Sequence, residues 1–154
     1  MERAEVKDKL RITGRVKATV RDAKTGKILQ VIEGPNLVTD VGEILFTKWM
    51  NGEAADIIAY CAVGSDATPP AEGDTTLTAE IGRILITDQT RSGATITYST
   101  FFSAADCNGT WLEEGLLNAA VAGELVAHSL FAAQIDKDAT KTVTCDHELT
   151  MAGA

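Results

Sequence analysis

Histidine is scarce in this sequence: His128 and His147 are the only two, and each falls in a separate stretch that reads as a β-strand. Metal sites and acid–base catalysis draw on histidine more than on most side chains. Neither has a partner set nearby in sequence, so each is expected to be a surface or packed strand residue. Cys145-Asp146-His147 puts three ligand types in a row. A strand turns alternate side chains to opposite faces, however, which separates Asp146 from the other two. No metal or cofactor is therefore expected. The same alternation separates Ser129 from His128 and Glu113 from Glu114. A Gly-x-Ser-x-Gly elbow, a phosphate loop and a dinucleotide fingerprint are all missing. No catalytic set is expected, which disfavours an enzyme.

Aromatic residues make up only 5% of the chain, so the core must rest on Val, Ile, Leu and Ala. Stacking on sugars would depend on Trp49, Trp111, Tyr60 and Tyr98 alone, which counts against a carbohydrate-binding domain. Three cysteines (Cys61, Cys107, Cys145) are odd in number and form no Cys-x-x-Cys pair. That argues against a disulfide framework or a zinc site. They are expected as reduced, mostly buried thiols, the alternative being an intermolecular disulfide formed after release from a cell. No apolar run approaches the roughly 20 residues of a membrane span. The first nine residues are charged and lack the apolar centre of a signal peptide, which points to a chain that stays in the cytoplasm where it is made.

What is present begins with a charge asymmetry. The net charge is −8, yet residues 1–27 hold nine basic and four acidic residues, a local +5 against −13 for the remainder. A basic arm on an acidic body suits docking onto an acidic protein surface better than nucleic acid, because the body repels phosphate. Arg3, Lys7, Lys9 and Arg11 are the candidate contact residues of that arm. The plainer alternative is that these charges decorate the solvent face of a first hairpin.

From Leu10 to Val20, even positions other than Gly14 are apolar and odd positions polar, the period of a half-buried strand. Asp22 to Gly26 reads as a turn and Lys27–Glu33 as the returning strand, ended by Gly34-Pro35. A helix is expected over about 41–50, capped by Asp40 with Glu43 three places on. Its apolar stripe would be Val41, Ile44, Leu45 and Trp49, interrupted by Lys48. Ile57–Val63 reads as a central strand. Residues 65–76 form a long polar loop stiffened by Pro69 and Pro70, a form that loses little entropy on docking; both prolines are candidate contact residues. A hairpin spans Ile81–Asp88 and Ala94–Ser103 across residues 89–93. Thr110–Leu117, Glu124–Phe131 and Thr140–Met151 complete the strands. Trp111 is large enough to anchor one sheet on another.

These elements predict a mainly β fold: a two-sheet antiparallel sandwich or jelly-roll-like domain of six to eight strands with one amphipathic helix. Residues 1–11 would be the basic arm, 12–151 one domain and 152–154 a flexible tail.

Several stretches taken in order resemble a family of small tailed-bacteriophage virion proteins, encoded among head and tail genes. They are Asn36-Leu37-Val38-Thr39 with Gly42, Ile58-Ala59-Tyr60-Cys61-Ala62-Val63-Gly64, Pro69 or Pro70 with Ala71, and Asp74-Thr75-Thr76-Leu77 with Glu80 and Arg83. Tyr98 and Phe101, Asn108-Gly109-Thr110-Trp111, Glu114-Gly115-Leu116, Gly123, Leu125 and Leu130-Phe131 follow. The resemblance covers about residues 30–131. It implies a β-rich structural component of the virion that binds protein surfaces. The expectation drawn from it is a capsid decoration (cement) protein, a homo-oligomer and by preference a homotrimer, bridging major capsid subunits on the head surface. A tail-fibre or baseplate module is the alternative, and a small hydrolase or sugar-binding domain the rival from another class.

Overall fold

A computed structural model describes residues 10–153. The alternation that opens the sequence becomes strand β1 (Leu10–Asp22), with Val16, Ala18 and Val20 buried and Arg15 and Lys17 outward. The Asp22 carboxylate accepts the Lys24 and Thr25 N–H groups, and Gly26 takes a φ of 71°, which turns the chain back. Strand β2 (Ile28–Val38) does not stop at Gly34-Pro35 as the sequence suggests. It stays paired with β1 as far as Gly14↔Asn36. The glycine is there because β8 crosses at that point: any side chain on Gly34 would collide with the Leu130 carbonyl.

The helix α1 (Asp40–Met50) forms where expected, but its cap is Thr39. The Thr39 hydroxyl accepts the Gly42 N–H at 3.0 Å and donates to the Leu125 carbonyl, which ties the helix start to β8. Gly42 brings the helix against β8, since a Cβ there would stand 2.5 Å from the Val126 carbonyl oxygen. The inward stripe is accordingly buried Gly42 and Leu45 flanked by half-buried Phe46 and Trp49, and Ile44 is left 55% exposed.

The other strands are β3 (Tyr60–Gly64), β4 (Glu80–Leu85), β5 (Asp88–Ser92), β6 (Thr95–Phe102), β7 (Gly109–Leu117), β8 (Leu125–Lys137) and β9 (Lys141–Gly153). The expected turn at 89–93 is mostly strand β5: the hairpin turns instead at Gly93-Ala94, with Ser92 opposite Thr95 and Gly93 at φ 59°. Strand β9 runs through Gly153, into the segment expected as a tail.

The mainly β expectation with one short helix holds. Among the described residues the nine strands form one antiparallel sheet in the order β4-β3-β7-β8-β2-β1-β9-β6-β5. Hydrogen bonding is thus continuous, where two separate sheets were anticipated. The sheet curls, and its two edge strands are consecutive in sequence. Between them the Ile86 N–H donates to Ala59 and the Thr87 N–H to Ser99, so the chain passes from one edge to the other at that corner. Inside the curl, Trp111 is fully buried, edge-on to Phe102 at 4.8 Å, and donates its Nε1–H to the Cys107 carbonyl. Val16, Ala18, Leu116, Val126, Ile135 and Val143 pack around it. A smaller cluster of Ala62, Leu77, Leu117 and Leu125 lies on the opposite side, under loop 65–79.

Candidate functional site

Strand β7 carries two adjacent acids, Glu113 and Glu114, and both are 0% exposed. Buried carboxylates are rare unless paired. The pleat sends them to opposite faces as the sequence implies, and each face supplies a histidine.

On the loop side, Glu113 accepts the Ala79 N–H at 2.8 Å, the Thr78 N–H at 3.3 Å and a bond with His128 Nε2 at 2.9 Å. His128 lies on β8 opposite Gly115 and is 1% exposed. Its other nitrogen, Nδ1, is 2.7 Å from Asp74 in loop 65–79, and Asp74 in turn accepts the Ala71 N–H at 2.8 Å. An ionised carboxylate can only accept. His128 thus bridges the two carboxylates, one at each ring nitrogen. Burial raises the Asp74 carboxyl, but the Ala71 N–H and His128 outweigh it and leave the group below its usual range. Gly64 makes room for the arrangement, because a side chain there would run into Glu113 and the Ala79 carbonyl.

On the inner face, Glu114 holds His147 of β9, whose Nδ1 is 2.9 Å from both carboxylate oxygens. The Cys61 thiol donates to Glu114 at 3.3 Å. Its hydrogen bond with Cys145, its burial and the Glu114 charge push that thiol well up, so it stays protonated. Among the described residues, His147 Nε2 is buried without a partner. An acid, a histidine and a thiol are thus gathered here, which the sequence reading did not foresee. At 0–1% exposure they meet no incoming molecule unless the fold opens.

The residues expected to meet a partner lie elsewhere. Arg11 is exposed on β1, opposite Ala152 of β9, and helps line an apolar groove of about 430 Å³ with Leu10, Ile12, Phe46 and Met151. Arg3, Lys7 and Lys9 lie outside the described residues. Pro69 is exposed and Pro70 half-buried. Their loop is fastened from within by Asp74–His128, by Thr78 and Ala79 on Glu113, by the Glu72 carbonyl accepting the Asp40 N–H, and by buried Leu77. Its tip at 65–70 is mostly exposed. Arg83 pairs with Glu80 and also donates to the Ala119 and Ala122 carbonyls.

Sequence reasoning missed Asp74, Glu113, Glu114, His128 and His147 as linked groups. The available signal was two charges inside a strand that otherwise reads as buried. Among the described residues, no group of three or more His, Cys, Asp or Glu side chains is arranged to hold a metal ion. No protein-family model matches this chain, and no curated protein or solved structure matches it either.

Proposed function

We propose that this chain is a structural protein of a tailed-bacteriophage virion, a capsid decoration protein that binds the major capsid shell as a homotrimer and stabilises it. The curl carries β3 and β9 onto facing walls, and in this reading the fold works as a two-layered, jelly-roll-like shell. The carrying observation is where the reactive groups sit. Both histidines, with Glu113 and Glu114, are 0–1% exposed and act as rivets: one holds loop 65–79 down, the other joins β7 to β9. Chemistry that needs an accessible histidine has none to use here, and the outer surfaces are left for recognition. The basic segment with Arg3, Lys7, Lys9 and Arg11, together with the loop tip at Pro69 and Pro70, supplies the contacts, in keeping with the charge asymmetry and the sequence resemblance.

The test is co-sedimentation of the purified chain with expanded heads of the phage that encodes it. The full chain is expected to saturate the heads at a fixed ratio, and a chain lacking residues 1–11 to lose attachment. Binding that survives the deletion would remove the arm from the interface. An intact chain that binds tails and not heads would move it to a tail-fibre or baseplate role. Turnover abolished by His128→Ala or His147→Ala would make it an enzyme.

A further inference from the structure

Strand β8 ends on Lys137, whose side chain is only 3% exposed. Lysine is almost never buried so deeply without an acid beside it, because its ammonium gives up its hydration. Here it meets neutral oxygens instead. It donates to the Asn108 side-chain carbonyl at 2.8 Å and to the Ala104 and Asp138 backbone carbonyls at 3.3 Å each. Among the described residues, no carboxylate forms an ion pair with it. Burial lowers this amine from its usual value, with Lys141 adding to that effect and Asp106, Cys107 and Asp138 opposing it. The neutral, nucleophilic form is therefore easier to reach than in a solvated lysine. Asn108 is held firmly for its part. The next residue, Gly109, stands opposite Lys137 in the β7–β8 pairing. The preceding one, Cys107, takes a left-handed φ of 49°, and the Trp111 Nε1–H pins its carbonyl at 2.7 Å. The Asn108 amide carbon is one C=O bond from the oxygen that accepts from Lys137, so it lies within about 4 Å of Nζ. A small shift brings that to the roughly 3–3.5 Å from which addition proceeds. Asn108 is itself exposed, which leaves a departing group a way out.

We propose that Lys137 and Asn108 join in an intramolecular isopeptide bond, which welds the end of β8 to the turn before β7. The ammonium gives one proton to solvent, and the neutral Nζ adds to the Asn108 amide carbon. The Nζ–Cγ bond forms, the Cγ–Nδ2 bond breaks, and a second proton passes from Nζ to the departing nitrogen. Ammonia leaves and takes up the first proton as ammonium. Nothing is oxidised or reduced. The chain loses one ammonia and one positive charge, and a buried cation becomes a neutral amide. Removing that buried charge favours the product. The link closes the chain from residue 108 to 137 and restricts the denatured state as a disulfide would. It needs no partner and stands independently of the role proposed above.

The experiment holds the full folded chain at neutral pH for several days and follows its intact mass. The mass is expected to fall by one ammonia, about 17 Da. Cleavage after glutamate should then give peptides 81–113 and 125–148 joined, with fragmentation placing the joint at Asn108 and Lys137. Reductant is kept present, so that no disulfide between Cys107 and Cys145 can hold the same two peptides together. Lys137→Met and Asn108→Ala should each keep their full mass. Asn51→Ala, which alters the other Asn-Gly step of the chain, should still lose the ammonia, and a chain kept in denaturant should not. An unchanged mass would overturn the proposal. So would a loss of ammonia with the two peptides separate, which is what a succinimide between Asn108 and Gly109 would give.

Discussion

Glu113→Gln should unseat loop 65–79 and destabilise the whole domain. The carboxylate has three donors around it and no solvent: the Ala79 and Thr78 amides and His128 Nε2. A glutamine keeps one oxygen and presents an NH₂ group where the other stood. Its oxygen can accept two of the three donors, and the third then faces a donor. Weakening charge-assisted bonds to neutral ones loses about 1 kcal/mol each, and one buried unsatisfied donor costs about 1–3 kcal/mol. The lower end of that sum is about 3 kcal/mol, a large part of the roughly 5–15 kcal/mol that holds a domain together. For a chain of this length that lowers the thermal midpoint by about 6–12 °C. It moves a urea midpoint by about 1.5 M if m is about 2 kcal/mol/M. Amide exchange should report the site directly, with Thr78 and Ala79 losing protection ahead of β7. Arg15→Ala is the control: it removes a 2.8 Å pair with Glu148 that is largely solvated and should leave stability nearly unchanged. A Glu113→Gln variant as stable as Arg15→Ala would refute the reasoning.

On the inner face, Glu114→Leu alone leaves His147 Nδ1 buried without its partner and should cost about 3–5 kcal/mol, while Glu114→Leu with His147→Leu should recover much of that loss in a double-mutant cycle. Gly42→Ala should destabilise by about 1–3 kcal/mol in urea titration despite alanine's better helix propensity, because its Cβ would press on the Val126 carbonyl at 2.5 Å. Asp74 is held below its usual range, so its contribution is complete above the unfolded carboxylate value of about 4 and is lost as pH falls through the lower folded value. Exchange protection of loop 65–79 should therefore stay level from pH 7 to about pH 4.5 and fall below about pH 4, and Asp74→Asn should be less protected at pH 7 with a flatter acid profile.

Local pattern carried a good part of this fold. The alternation from Leu10 to Val20 is β1, and Thr110–Leu117, Glu124–Phe131 and Thr140–Met151 lie within or nearly within β7, β8 and β9. Pattern failed where one signal has two physical causes. Gln89-Thr90-Arg91-Ser92 is polar because it is a fully exposed edge strand, yet polar residues ahead of a glycine read equally well as a turn. Gly34 reads as a stop, but its absent side chain serves the crossing of β8, a contact no local window contains. The helix stripe lies one position off because Gly42, with nothing to bury by itself, is the point of closest approach. The rivets were hardest to see. Alternation correctly sends Glu113 and Glu114 apart, but the partner of each comes from a different part of the chain: Asp74 and His128 for one, Cys61 and His147 for the other. Only the curl of the sheet brings them together.

The proposed decoration role is tested most directly by a density map of the phage particle whose genome would encode this chain. The account predicts the curled sheet in threefold sets on the outer surface of the head, seated over boundaries between capsid subunits, with Arg11 and the Pro69–Pro70 tip at the contacts. Density for the fold confined to the tail, or a virion from which the chain is missing altogether, would contradict it.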